Sequence, residues 1–574
     1  SPVAPSTDDA AIPGGARTAD PAPAPTPEAA QLELPAETAP EPAAAAVPPT
    51  PAAAPAPQQA APRVAPPARR AEGEFTAAAA VLHTDGLWLP DGTNVPLHRP
   101  LEHLGDIAMI VQELGLGFKR GWKSEDGQVF ATEDAVRELI GVDVAPYRQM
   151  WADEARQKFA EATSTHPFVT RALEAGFSVG GRPVPHLSGT TRIWHQAHPE
   201  LNARLALIPR LNDDFKHLIA DDPHPAVIAR RLQAYAEAIE YPYSLSASTT
   251  GLDLMKVTRW KDRVELFSAE PELPEPRDGS PKPTSDPDLM FDAGWHRKPT
   301  DTELQHTYVH AFDRGGSYLA GIAGLELGIG QATHYPNGHE FDRKLPGYWR
   351  VAMPEPSSWL APNPLFPHSR LERVPQPGEL IWTTTDTLAL AQDLGYELDV
   401  DEAYIWHRHS RVLESWYGRI RDGLARVGRG TPDADAVRAL IKETYVRPIG
   451  LMTSREFMTG PDGKIADGFA PGRRHLIMGR ARANIIRWAF KIGEETGRWP
   501  VAVVKDTLYY TSDERDPAAA WPGPENKLGF GLGQYKPEAT FLLEDMRPYL
   551  TGKGVFEAKK HIGELIDFDD EEPF

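Results

Sequence analysis

The chain has 574 residues, a formal charge of −21, 41% hydrophobic residues, 14 Trp and no Cys. That length supports several domains around a large core. The lack of Cys excludes disulfides, zinc–thiolate sites and cysteine nucleophiles, and fits a reducing, cytoplasmic setting. The acidity argues against a uniformly basic nucleic-acid coat but leaves room for a local basic channel. No apolar run reaches the roughly 20 residues of a membrane span, so no membrane partner is expected.

Residues 1–73 are Ala/Pro-rich, with scattered acids and almost no aromatics. Such a segment cannot bury enough apolar surface to offset its ordering entropy, and it reads as a disordered, fairly extended linker. Its first residue is Ser rather than Met, as in a piece of a longer protein. Residues 74–150 read as a small α/β module. Ala77 to Leu89 is strand and turn. Leu101 to Leu114 is a helix with Leu101, Leu104, Ile107, Ala108 and Val111 on one face. Residues 151–295 read as a second α/β unit. Its elements are a helical stretch from Tyr147 to Phe177, two strand-like runs between Arg192 and Ile208, one or two helices between Leu218 and Ile239, and a short element at Ser244 to Met255. A Pro- and charge-rich exposed loop follows from Glu270 to Pro287.

Residues 296–520 carry the clearest pattern. Thr307 to Asp313 alternates and is rich in β-branched and aromatic residues, so it reads as a strand ending in a lone carboxylate. Gly315-Gly316 forces a turn, and Ser317, Tyr318 and Leu319 open a small-residue helix. Asp313 suits a metal-phosphate site on a rigid element; a helix-capping Asp is the other reading. Further on, Tyr348 to Met353 is a strand, Thr384 to Leu394 a helix and Glu397 to Trp406 a strand. Val412 to Val427 is a helix with Arg419, Arg421 and Arg426 outward, followed by helices at Asp433–Tyr445 and His475–Glu495. Trp499 to Thr511 reads as continuous strand around Asp506, and an ionised Asp inside an apolar strand is costly unless paired or on a metal. Arg438 and Lys442 share one helical face, and Arg480, Arg487 and Lys491 form a stripe beside an apolar one. These cations are either a solvated surface or a polyanion contact. His334, His339, His407 and His409 match no strong ligand spacing and read as surface or loop histidines. Residues 521–565 form a further region, and 566–574 an acidic tail.

The order strand–Asp313–Ser317-Tyr318, then Lys442 with Gly450 eight residues on, then Asp506 and Tyr510, resembles the palm and fingers of family B DNA polymerases, particularly the protein-primed branch. The resemblance implies an α/β (α+β) fold with polymerase-like palm, fingers and thumb, preceded by a degenerate RNase H/exonuclease-like domain. It makes Asp313 and Asp506 the catalytic metal ligands for Mg2+ (or Mn2+). Ser317, Tyr318, Arg438 and Lys442 would bind the nucleotide. Lys527-Leu-Gly-Phe-Gly-Leu-Gly-Gln-Tyr-Lys536 resembles the stretch that tracks primer phosphates, which adds Lys527 and Lys536 to Arg480, Arg487 and Lys491 as DNA contacts. The chain departs from the family at Ser317, one place late, and at Val446, Arg447 and Ile449, where the family has Asn, Ser and Tyr. Val504 replaces one of two acids.

From Leu201 to Glu544 the chain is also similar to the telomere-associated proteins of linear bacterial replicons. The likeness includes Thr250-Gly-Leu-Asp-Leu-Met255, Phe341-Asp-Arg-Lys-Leu-Pro-Gly-Tyr-Trp349 and Thr496-Gly-Arg-Trp-Pro500, though the helix-turn-helix domain of that family is not found. The implied partners are DNA, single-stranded or primer-template, and a terminal protein, in a cytoplasmic, nucleoid-associated setting. The alternative is a catalytically inactive polymerase-like scaffold that binds single-stranded ends and recruits that protein. Between 75 and 265 no Asp-X-Glu exonuclease motif stands out. The tail, with Asp569, Asp570, Pro573 and Phe574, resembles the tip of bacterial single-stranded-DNA-binding proteins, which implies docking to replication and repair proteins.

Overall fold

The computed structural model describes residues 75–553, except 121–122, 149, 151, 182–183, 209–215, 245, 262–268, 286–293, 366–374, 460–462 and 467. The linker and the tail residues Asp569, Asp570, Pro573 and Phe574 lie outside the described residues. All described residues belong to one unit, Pro66–Phe574.

Strands β1 (Ala79–His83), β2 (Gly86–Trp88) and β3 (Asn94–Val95) form an antiparallel meander. A separate hairpin, β4 (Gly117–Arg120) and β5 (Lys123–Asp126), follows. Four more strands, β6 (Gln128–Thr132), β7 (Phe177–Val179), β8 (Thr190–His195) and β9 (Asn202–Ile208), complete a seven-stranded sheet of order β3-β2-β1-β6-β9-β8-β7. The sheet therefore spans residue 150, where the sequence suggested a boundary. Its parallel centre, β1-β6-β9, is apolar on both faces, as a covered sheet must be. Val81, Phe130 and Ile208 meet helix Pro225–Ile239 on one side. Leu82, Val129 and Leu205 meet helix Gly105–Leu114 on the other.

Tyr147 to Phe177 is two helices, Ala152–Ser164 and Pro167–Glu174, rather than one stretch. The break falls before Pro167, where the His166 ring accepts the Phe168 N–H and caps the second helix. Leu218 to Ile239 yields a single helix, Pro225–Ile239, and Ser244 to Met255 opens a long one, Ala247–Lys261. Its Ser/Thr-rich start hides it. Gly251 lets that helix approach helix Pro432–Leu451, since a Cβ there would stand 2.1 Å from the Thr444 carbonyl oxygen. Arg419, expected outward, instead donates to the Ile239 carbonyl (3.2 Å) and closes the end of helix Pro225–Ile239.

The second half holds β10 (Gly294–His296), β11 (Tyr308–Arg314), β12 (Leu327–Gly328), β13 (Thr333–Tyr335), β14 (Gly347–Ala352), β15 (Leu380–Thr384), β16 (Val400–Ile405), β17 (His409–Ser410), β18 (Ala502–Val504), β19 (Thr507–Ser512) and β20 (Tyr535–Leu542). A five-stranded antiparallel sheet runs β10-β18-β19-β11-β20, and a four-stranded one β13-β16-β14-β15. Helix Thr385–Asp393 starts after β15. Thr384 flanks it, but its hydroxyl lies 3.3 Å from the Thr387 hydroxyl and caps no N–H. Helix Pro471–Thr496 lays Ile485, Ala489 and Ile492 against Phe312, Leu508 and Tyr510, so the two strands that carry the site share one buried support.

Glu270, expected in an exposed loop, is anchored. Its N–H donates to the Phe469 carbonyl (2.8 Å), and its carboxylate accepts the Gly472 N–H (2.7 Å) at the start of helix Pro471–Thr496. The residue is only partly covered, but its carboxyl is enclosed. Burial pushes its pKa up to about 7 against the opposing pull of Arg473. A carboxyl whose folded pKa lies above its unfolded value binds the proton more tightly when folded. Its contribution to stability is full below the unfolded value of 4.5 and falls as pH rises through about 7. Glu270→Gln is therefore expected to raise the melting midpoint relative to wild type at pH 8 and to leave it nearly unchanged at pH 5. Thermal unfolding at the two pH values checks this, and an equal shift at both would count against it.

Candidate active site

On β11, Val309 and Ala311 point to one face, and His310 and Phe312 to the other. Asp313 follows at the strand's end with 18% of its side chain exposed. The chain then turns on Gly316, at φ 62°. Gly315 donates to the Gln534 carbonyl and accepts from the Gly533 N–H, both 2.8 Å. A Cβ on Gly315 would stand 2.8 Å from the Gly531 carbonyl oxygen, so the glycine lets two loops touch.

Asp506 does not lie inside a strand, as its apolar surroundings suggested. It sits in the two-residue turn between β18 and β19, where Lys505 takes φ 56° and reverses the chain. This relieves the cost of a charge in the strand interior. Antiparallel pairing sets Asp313 opposite Thr507, and the Arg314 N–H donates to the Asp506 carbonyl (2.9 Å). The register thus brings Asp313 and Asp506 to neighbouring positions at one end of the sheet.

Three groups face this corner. The Lys536 ammonium on β20 is 3.7 Å from the Asp313 carboxylate. Burial, and then the fields of Asp313 and Asp506, raise the pKa of the Tyr445 phenol. Burial also pushes Tyr535 up to about 12, with the same two carboxylates contributing. Among the described residues no three His, Cys, Asp or Glu side chains cluster. Two aspartates at neighbouring positions at one end of a sheet still fit Mg2+ or Mn2+, because Mg2+ is commonly held by one or two carboxylates together with substrate phosphates.

Ser317, Tyr318 and Asp506 line a small cavity of about 20 Å³ with Lys505, Ala481 and Arg482, room for about one water. Arg438 and Lys442 line a separate cleft of about 680 Å³ with Gly315, Gly316 and Tyr445. Arg438 donates to the carbonyls of Leu424 (2.6 Å) and Val427 (3.0 Å), which ties it to the end of helix Glu414–Arg426. Lys442 is exposed and has no ion pair among the described residues. The stripe on helix Pro471–Thr496 is not one open row. Arg480 stands 3.5 Å from Asp386, and Arg487 is partly buried beside Asn484, near Asp386 and Asp393. Lys491 and Lys527 flank the Trp488 ring at 5.1 and 4.9 Å. Of the histidines, His334 is not a plain surface residue, since its Nε2 is 2.6 Å from the buried Glu402. The sequence does not single out Arg482, which lines the small cavity, or Tyr445 and Phe530, which line the cleft. Tyr445 reads as helix core, and the glycines around Phe530 drew attention to backbone rather than to its ring.

No protein-family model matches the chain, and no curated protein does. Among solved structures it is similar to Phi29 DNA polymerase in an orthorhombic crystal form, at 11% identity over 76% of this chain and 78% of that one, with a TM-score of 0.41. It is also similar to the same polymerase complexed with single-stranded DNA, at 12% identity over 76% and 78%, with a TM-score of 0.42. The complex with primer-template DNA and incoming nucleotide substrates gives 10% identity over 76% and 79%, with a TM-score of 0.42. This is a distant likeness of fold, and it carries no argument for activity.

Proposed function

We propose that the chain is a DNA polymerase-like protein that acts in replication or terminal-protein priming at the ends of a linear replicon, by two-metal nucleotidyl transfer. The carrying observation is the register that sets Asp313 beside Asp506. In the reaction, a primer hydroxyl, or a Ser, Thr or Tyr hydroxyl of a terminal protein, attacks the α-phosphorus of a nucleotide. A new P–O bond forms, the bond to the β-phosphate oxygen breaks, and the hydroxyl proton passes to solvent as pyrophosphate departs. Bound Mg2+ or Mn2+ supplies charge that activates the hydroxyl and stabilises the leaving group.

Asp313 and Asp506 would hold the metals. Lys442 would neutralise the triphosphate from the cleft side, Ser317 and Tyr318 would sit at the phosphates and sugar, and Arg438 would stiffen the helix pair beside them. Lys536 would balance Asp313 until nucleic acid arrives. The α/β unit before this region would be an exonuclease-like domain without nuclease activity.

Two observations favour the inactive scaffold as a second reading. Val504 stands in β18 where the family has another acid, and the Lys536 ammonium already lies against Asp313. Nucleotide incorporation with Mg2+ or Mn2+, on a primed template and on a candidate terminal protein, separates the two. Incorporation by wild type and its loss in Asp506→Ala support the enzyme; binding of single strands without incorporation supports the scaffold.

The segment with Asp569, Asp570, Pro573 and Phe574 is proposed to recruit replication and repair proteins through the Phe574 ring, with Asp569 and Asp570 steering toward a basic rim. Deleting Phe574 is expected to abolish pull-down of such a partner and to leave DNA binding unchanged. Undiminished pull-down would refute the tail's role.

A further inference from the structure

We propose that Phe530 is a base-stacking platform for single-stranded nucleic acid in the basic cleft beside Asp313. The inference rests on the nucleic-acid reading above and does not need the site to be catalytic.

Among the described residues, the cleft of about 680 Å³ is lined by four cations, Arg421, Arg429, Arg438 and Lys442, and by no carboxylate; behind them Asp422 pairs with Arg421 at 2.8 Å and leaves the other three cations to the cleft. In a chain of charge −21 this is a local reversal of sign, and it is complementary to a polyanion. Phe530, Gly531 and Leu532 of the loop Gly529-Phe-Gly-Leu-Gly533 also line the cleft, and Phe530 and Leu532 are 48% and 38% exposed.

That exposure is held in place. The Gln534 side chain accepts the Gly531 N–H (2.7 Å) and donates to the Asn526 carbonyl (3.0 Å), which clamps the loop from within. Gly529 bonds the Tyr535 carbonyl (2.8 Å), and Gly533 bonds Gly315 in the turn after Asp313. Arg429 donates to the Phe530 carbonyl and places its guanidinium 5.7 Å from the ring centre. A clamped, solvent-exposed ring next to cations is the pairing that single-stranded binding uses: cations track phosphates, and aromatic faces stack bases without regard to sequence. The bond from Gly533 to Gly315 fixes the platform relative to the strand that carries Asp313, so a stacked base would be registered against that corner.

The test uses the full chain and two fluorescent probes of about 15 nucleotides, within the span one such site covers. One is oligothymidylate and the other an abasic strand with the same phosphates. Phe530→Ala is expected to weaken oligothymidylate binding about tenfold, in line with the loss of one stacked base. It should leave abasic binding and the salt slope unchanged. Phe530→Tyr should bind like wild type, which separates lost stacking from a disturbed loop. Lys442→Ala should weaken both probes alike and reduce the salt slope by about 0.7, one phosphate contact on a single strand. Equal effects of Phe530→Ala on both probes, or no effect on either, overturn the proposal, as does a wild-type chain that binds neither. All these outcomes are read by binding alone. A protein that fails to incorporate nucleotides therefore sinks the enzymatic reading without touching this one.

Discussion

Asp313→Asn and Asp506→Asn are each expected to abolish nucleotide incorporation while oligonucleotide binding stays within a few-fold of wild type. Each change keeps the side chain's shape and removes one of the two charges that would hold a divalent cation. Loss of an outer-shell partner in a metal site typically costs about 10–100-fold. Loss of a direct ligand should exceed that range. The folding cost should be small, because both residues sit at a sheet end rather than in its core. Single-turnover incorporation and anisotropy titration on the same preparations separate chemistry from binding. A variant that retained a tenth of wild-type incorporation would contradict the assigned ligand role.

Glu402→Ala should produce the largest loss of stability. Glu402 is fully buried in β16, in the four-stranded sheet. One carboxylate oxygen accepts from the Arg277 N–H (2.9 Å) and from His334 Nε2 (2.6 Å); the other accepts from Arg350 (3.1 Å), whose side chain is 7% exposed. Removing the carboxylate leaves a buried guanidinium with Asp278 and the face of Trp382 but without its buried counter-charge, and leaves a backbone donor unmet. Breaking a buried ion pair from one side costs about 3–5 kcal/mol. Arg411→Ala is the control, because that side chain is 61% exposed and its pair with Glu326 lies in solvent. The expected result is a large drop in melting midpoint for Glu402→Ala and little change for Arg411→Ala.

The two acids were legible in the sequence to different degrees. Asp313 could be placed because its signals are local: an alternating strand, a Gly-Gly pair and a small-residue helix. Asp506 was singled out for a sound reason, the cost of a buried charge, yet its position was misread. A turn made of Lys505 and Asp506 carries none of the Gly or Asn that usually marks reversal, and the positive φ at Lys505 leaves no trace in composition. The cation stripe shows a different limit. Helical spacing puts Arg480 and Arg487 on one face, but nothing within that helix says that Asp386 and Asp393, about a hundred residues earlier, wait opposite. Tyr445 was invisible for a related reason: a buried Tyr on an apolar helix stripe looks like core until the carboxylates near its hydroxyl are known. The seven-stranded sheet that joins β1–β3 to β6–β9 depends on long-range strand order, which local pattern does not encode.

Binding of Mn2+, followed by electron paramagnetic resonance with and without a deoxynucleoside triphosphate, asks most directly whether Asp313 and Asp506 form one metal site. The expected result is Mn2+ binding by wild type that strengthens when nucleotide is present, and loss of that nucleotide-dependent binding in Asp313→Asn and in Asp506→Asn alike. Unchanged nucleotide-dependent Mn2+ binding in the double variant would contradict the shared site.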